Sequence, residues 1–155
     1  MAINDLNAGE ADMWKYVDDT TISEVIAKGQ KSFIQQIVDD FAIQARDEGF
    51  YLNERKCKEL RISFAKSEPE FDPIWVNHQT LETVNSVKLL GLNISSDLKW
   101  NAHVSELIRK VSTRLYFLRQ LKRSHVATKE LLFYITCIRS ILEYSSPVFH
   151  RALPS

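Results

Sequence analysis

Apolar and polar positions along the chain change their period several times, and each change marks an element. Between Trp14 and Val25 two β-prone runs, Trp-Lys-Tyr-Val and Thr-Thr-Ile-Ser-Glu-Val, lie on either side of Asp18-Asp19. Asp tolerates turn conformations that branched residues resist, so the pattern predicts a hairpin with the acid pair at its tip. From Gln30 to Glu48 the apolar residues Phe33, Ile34, Ile37, Val38, Phe41, Ala42 and Ala45 recur three and four apart, which makes one face of an amphipathic helix. Gly49 follows as its C-terminal cap. Cys57 to Phe64 alternates loosely and reads as a strand, and Ala65 to Asp72, with its acids and Pro69, as a loop. Ile74–Val76 and Val84–Ile94 read as further strands, broken by Asn77-His78-Gln79 and closed by Gly91.

The second part of the chain has helical periodicity throughout. Asp97 to Lys122 carries Val104, Leu107, Ile108, Val111, Leu115, Leu118 and Leu121 at helical spacing, with bases flanking the stripe. A second helix is expected from Thr128 to Glu143, with Leu131, Leu132, Ile135, Ile138 and Leu142 buried, after a short turn near Ser124-His125. Packing the two apolar faces together gives these helices a core that neither has alone. Pro147 and Pro154 mark an irregular end. The fold class is therefore α+β. A mixed domain is expected over 1–94 and an all-helical one over 95–155, with the change of character at Ser95-Ser96-Asp97.

Composition adds a charge distribution. The 155 residues have zero formal net charge, so bulk charge points to no partner. Between Met1 and Asp40, however, stand eight acids and three lysines; between Asn101 and His125 stand six bases and one acid. An acidic end and a basic element suit a cation site beside a polyanion surface, or equally two solvated helix faces of opposite sign. Cys57 and Cys137 are too few and too far apart for a disulfide framework or a zinc cluster, and the four histidines lack metal-ligand spacing. No apolar run is long enough to span a bilayer and the first residues do not read as a signal peptide, so an intracellular chain, in cytoplasm or nucleus, with no membrane partner is expected.

Asp18-Asp19 is the candidate for chemistry. Adjacent carboxylates at a hairpin tip concentrate negative charge that favours a hard cation such as Mg²⁺. Nucleotidyl transfer by two metal ions uses such groups. An Asp-Asp turn is also a common solvated feature, as Asp39-Asp40 on the predicted helix illustrates.

Tyr16-Val17-Asp18-Asp19-Thr20-Thr21 resembles the signature hairpin of reverse transcriptases. Gly49-Phe-Tyr-Leu-Asn53-Glu-Arg-Lys56-Cys-Lys58 is similar to the segment after their palm helix. Val87-Lys-Leu-Leu-Gly91-Leu-Asn-Ile94 resembles the hairpin that grips the primer. Trp100-Asn-Ala-His103, Arg114-Leu-Tyr-Phe-Leu-Arg-Gln-Leu121 and Ile141-Leu-Glu-Tyr144-Ser-Ser-Pro-Val148 resemble the thumb of non-LTR retrotransposon polymerases. The resemblance implies a partial palm followed by a helical thumb, in an RNA-directed DNA polymerase acting on an RNA template and a DNA primer. No small-molecule cofactor beyond deoxynucleotides is implied. Asp18 and Asp19 would be ligands of two Mg²⁺ ions. Lys56, or Lys58 in the alternative register, would stand near the leaving pyrophosphate. Tyr16 and Val17 would line the floor under the primer end, Gly91 would let a hairpin approach nucleic acid, and Arg109, Lys110, Arg114 and Arg119 would touch phosphates. The family's earlier palm aspartate and its fingers would precede Met1, so this fragment is expected to be inactive alone.

Another reading is a non-catalytic nucleic-acid-binding or interaction module. The stretch from Val87 onward is also similar to a short N-terminal module named after an alkylated-DNA repair dioxygenase homologue. Neither a His-x-Asp iron motif nor a Gly-rich methyl-donor loop is present, so oxidoreductase and methyltransferase chemistry are not expected.

Overall fold

The computed structural model describes residues 12–65, 70–125 and 132–149. It is a small mixed α/β fold in two compact units, Met1–Arg61 with Ala65–Val84 and Ile62–Phe64 with Asn85–Ser155.

The first unit opens with an antiparallel hairpin, β1 (Asp12–Tyr16) and β2 (Asp19–Ser23). Tyr16 pairs with Asp19, which leaves Val17 and Asp18 as a two-residue turn. The strands alternate, so Met13 and Ile22, which pair across the hairpin, face the same side. That side packs on α1 (Ile34–Asp47), where Phe41 and Ala45 form a buried core with Met13, Ile22, Phe50 and Leu52 around it. The helix begins later than its apolar period suggests. Glu24 accepts hydrogen bonds from the Phe33 N–H at 2.8 Å and the Ser32 hydroxyl at 2.7 Å, and the Ser32 oxygen accepts from the Ile34 N–H. A capping group from the hairpin thus fixes the start at Ile34. Its end follows the sequence. Gly49 has φ +82°, its N–H reaches the Arg46 carbonyl and the Phe50 N–H reaches the Ala45 carbonyl, which is a Schellman cap.

Beyond α1 the strands are short. β3 (Lys58–Leu60) pairs in parallel with β6 (Glu82–Val84), while β4 (Trp75–Val76) and β5 (Gln79–Thr80) form a minimal hairpin over Asn77 and His78. Both of these turn residues have positive φ, as a type I′ turn requires. The Arg46 guanidinium donates to the Asn77 side-chain Oδ1, and the Asn77 side-chain amide donates to Glu54 at 2.6 Å. This chain of bonds ties the turn to α1 and holds the Glu54 carboxyl below its ordinary pKa.

The second unit begins with the hairpin β7 (Ser86–Leu89) and β8 (Leu92–Ser95), closed by Leu90 and Gly91 at positive φ. Asp97 accepts from the Ser95 hydroxyl and the Lys99 N–H, and Leu98 has φ +52°. The side-chain turn ends the strand and delays the long helix, α2, to Asn101–Arg123. A π-helical segment, π1 (Tyr134–Arg139), continues into α3 (Ser140–Glu143), and both pack on α2. A last helical turn, α4, covers Ser146–Phe149. His103, Val111, Ile138 and Phe149 are buried among the described residues of this unit.

Two expectations are corrected. Among the described residues no reverse-transcriptase palm is present: their strands make four separate two-stranded sheets, so the acidic hairpin joins no larger sheet there. The second expected helix is π-helical over Tyr134–Arg139 and α-helical only over Ser140–Glu143. Hydroxyls compete for its carbonyls, Thr136 bonding to the Leu132 carbonyl and Ser140 to the Thr136 carbonyl. The first part of the expected helix, residues 128–131, lies outside the described residues, as does Pro154. Among the described residues no helix is long and apolar enough to cross a membrane.

Candidate functional site

The acidic hairpin tip presents Asp18 in the turn and Asp19 as the first residue of β2, both exposed. Among the described residues no group of three or more His, Cys, Asp or Glu side chains is placed to hold a metal ion. Lys56 is exposed in the turn that follows Asn53, its N–H bonded to the Asn53 carbonyl. Lys58 is ion-paired to Glu82 across the parallel β3–β6 pair. Tyr16 is exposed beside the turn, and Val17, 71 % exposed, takes φ +56°. For a β-branched residue that is a costly conformation, and no packing compensates for it. Burial, and then Glu54 beside it, pushes the Cys57 thiol up.

Gly91 is set by its neighbour in the fold. The Tyr144 hydroxyl donates to the Leu90 carbonyl at 2.7 Å, and a Cβ on Gly91 would sit 3.3 Å from the Tyr144 ring. The absence of a side chain admits the tyrosine against the hairpin tip.

On α2 the expected bases divide into two groups. The first group is held within the unit. Lys110 lies 2.7 Å from Glu106, one turn earlier, and Lys88 of β7 reaches the same carboxylate at 3.6 Å. Lys110, as hydrogen-bond donor and charge, and then Lys88 hold the Glu106 carboxyl below its ordinary value. Arg114 donates to the Cys137 carbonyl within π1. π-Helical geometry shifts the backbone ladder, and the guanidinium satisfies a carbonyl there. The second group has no such partner among the described residues. Arg109, Arg119, Lys122 and Arg123 are exposed and make no ion pair among the described residues. Arg109, Tyr116 and Arg123 are seven apart, hence on one face, and Arg119 lies one turn from Tyr116. That face is opposite His103, Val111 and the other positions turned to the core.

His103 lies on the inner side of the same helix, 2 % exposed. Its Nδ1 accepts from the Asn93 N–H at 3.3 Å, and its Nε2 is buried with no hydrogen-bond partner among the described residues. Phe149 and Trp100 pack edge-on against the ring, with centroids 5.0 and 5.9 Å away. Burial lowers its pKa; Glu106 opposes this, and Lys110 and Lys88 reinforce it.

Lys122, Arg123, Tyr116 and Phe117 were not among the sequence-derived site residues. For Tyr116, Phe117 and Arg123 the signal was present, because each falls off the apolar stripe of α2. The pairing of Lys110 was equally legible as Glu106 and Lys110 four apart. The use of Arg114 was not, because it depends on a carbonyl in another element.

One family description matches the chain: "Alkylated DNA repair protein alkB homolog 8, N-terminal", over residues 100–140. The match begins at Trp100, takes in all of α2 and ends inside α3, well under half of the chain. No curated protein and no solved structure matches the chain. The resemblance to reverse transcriptases is corrected by this finding, since the matching family is a different one and the fold has no palm. The assignment to a non-LTR retrotransposon polymerase falls with it.

Proposed function

We propose that the chain is a non-catalytic module that binds nucleic acid through the open face of α2. The observation that carries this reading is the division of the bases: Lys110 and Arg114 are committed within the unit, whereas Arg109, Arg119 and Arg123 stand exposed without ion pairs among the described residues. Unpaired guanidiniums on one face of a helix suit phosphate oxygens, which they contact without regard to sequence. The matched description, that of a DNA-repair protein's N-terminal part, is compatible with such a partner. Catalysis is no part of the proposal.

Fluorescence anisotropy with a labelled oligonucleotide at two salt concentrations tests the reading. Three phosphate contacts give a slope of about −2 to −3 in log K against log salt. Replacing Arg109, Arg119 and Arg123 together by Gln should abolish the slope and most of the binding. Asp18→Asn with Asp19→Asn should leave binding intact. Affinity that ignores salt, or survives the triple replacement, would remove the basis for the proposal.

A further inference from the structure

The open face of α2 carries aromatic rings as well as bases. Tyr116 is 59 % exposed and Phe117 54 % exposed, on consecutive residues of a helix that buries Val111 on another side. Their rings meet at 5.9 Å between centroids with planes 71° apart. An edge-to-face pair holds each ring in place and leaves ring surface turned to solvent. Arg109 and Arg123 lie one heptad to either side of Tyr116, and Arg119 one turn beyond it. Tyr116 is therefore within about two turns of three arginines that make no ion pair among the described residues, and Phe117, about 100° further round the helix, meets its ring.

Resting on the reading of α2 as a nucleic-acid surface, we infer that its partner is single-stranded: unpaired bases stack on Tyr116 and Phe117 while Arg109, Arg119 and Arg123 hold the flanking phosphates. A duplex offers phosphates but keeps its base faces stacked inside, so it has use for the arginines and little for the rings. An unpaired strand offers both, and base–aromatic stacking is indifferent to sequence. The charge of the face selects the same occupant. A protein partner for two exposed aromatics would have to bring acids for three arginines, whereas every nucleotide brings an anion and a ring together.

The test uses the full chain with a labelled mixed-sequence single strand of about twenty nucleotides, a span of a few binding sites, and its matching duplex, at one low salt concentration. The single strand is expected to bind more tightly by tenfold or more, since stacking adds on the order of 5- to 150-fold per base. Tyr116→Ala with Phe117→Ala should erase that preference and leave duplex affinity and the far-ultraviolet circular dichroism unchanged. Should the double variant fail to fold, photo-cross-linking of a bromouracil-substituted strand to the unaltered protein decides, with the adduct expected in the peptide that contains Tyr116 and Phe117. Equal affinity for both forms, insensitive to the aromatic replacements, overturns the single-strand inference and leaves phosphate binding standing. A cross-link elsewhere also overturns it, as does concentration-dependent self-association that the replacements abolish while binding is unchanged. Binding to neither form overturns this inference and the proposed function together.

Discussion

Replacing His103 by Phe tests whether a buried, neutral imidazole governs the acid stability of the second unit. In the folded chain the ring is enclosed by Trp100 and Phe149, its Nδ1 already accepts the Asn93 N–H, and Glu106, Lys110 and Lys88 are the charged groups around it. Protonation would place a second donor against the Asn93 N–H and put a cation in an aromatic enclosure. Burial therefore holds the folded-state pKa below the ordinary 6.5. With the folded pKa depressed, the unfolded state binds the proton first. The neutral-imidazole contribution is fully present above pH 6.5 and declines as pH falls toward the folded pKa. One proton taken up only by the unfolded chain gives a slope of at most about 1.4 kcal/mol per pH unit. From pH 6.5 to 5 the loss is then at most about 2 kcal/mol. Urea denaturation between pH 5 and 7.5, followed by Trp100 fluorescence in a Trp14→Phe, Trp75→Phe background, measures it. His103→Phe keeps an aromatic ring, removes the unpartnered Nε2 and forfeits one long hydrogen bond, so stability at pH 7 should change by about 1 kcal/mol or less. The slope between pH 5 and 6.5 should become shallower, leaving the part due to the lowered Glu54, Asp97 and Glu106 carboxyls. An unchanged slope in the variant would show that another group controls acid unfolding and that the argument from burial is wrong.

Two further outcomes follow from backbone geometry. Val17→Gly should stabilise the chain by about 1 kcal/mol in urea denaturation, because the residue is exposed and holds a left-handed conformation at the first turn position, where Gly is favoured. Gly91→Ala should destabilise more than Gly49→Ala: both glycines have positive φ, but only at Gly91 does the new Cβ meet a side chain, 3.3 Å away on Tyr144.

The elements that the sequence made legible are those fixed by nearby residues. The β1–β2 hairpin, the buried face of α1 and the Gly49 cap each follow from residues within a turn or a strand pair of one another. The starts of α1 and α2 were not legible, because Glu24 and Asp97 set them by hydrogen bonds that override an apolar period. The parallel β3–β6 pair joins segments far apart in sequence, and local alternation cannot report it. The π-helical turn likewise depends on hydroxyl competition and on Arg114 arriving from α2.

The same distinction explains why a set of short motifs pointed to a polymerase. Tyr-Val-Asp-Asp is here a two-residue hairpin turn with its closing pair, Gly49 is a helix cap, and Gly91 closes a hairpin under Tyr144. Each pattern has a sufficient local cause, and local causes recur in unrelated folds. A palm needs its strands joined in one sheet so that carboxylates from different strands converge, and the sheets here remain separate. The basic helix is different in kind. Arg109 and Arg119 are required neither by a cap nor by a turn, and among the described residues they make no ion pair, whereas their neighbours Lys110 and Arg114 are held within the unit. Surface charge without an internal use is the feature that a partner must explain, and for that reason the functional proposal rests on α2 and not on the acidic hairpin.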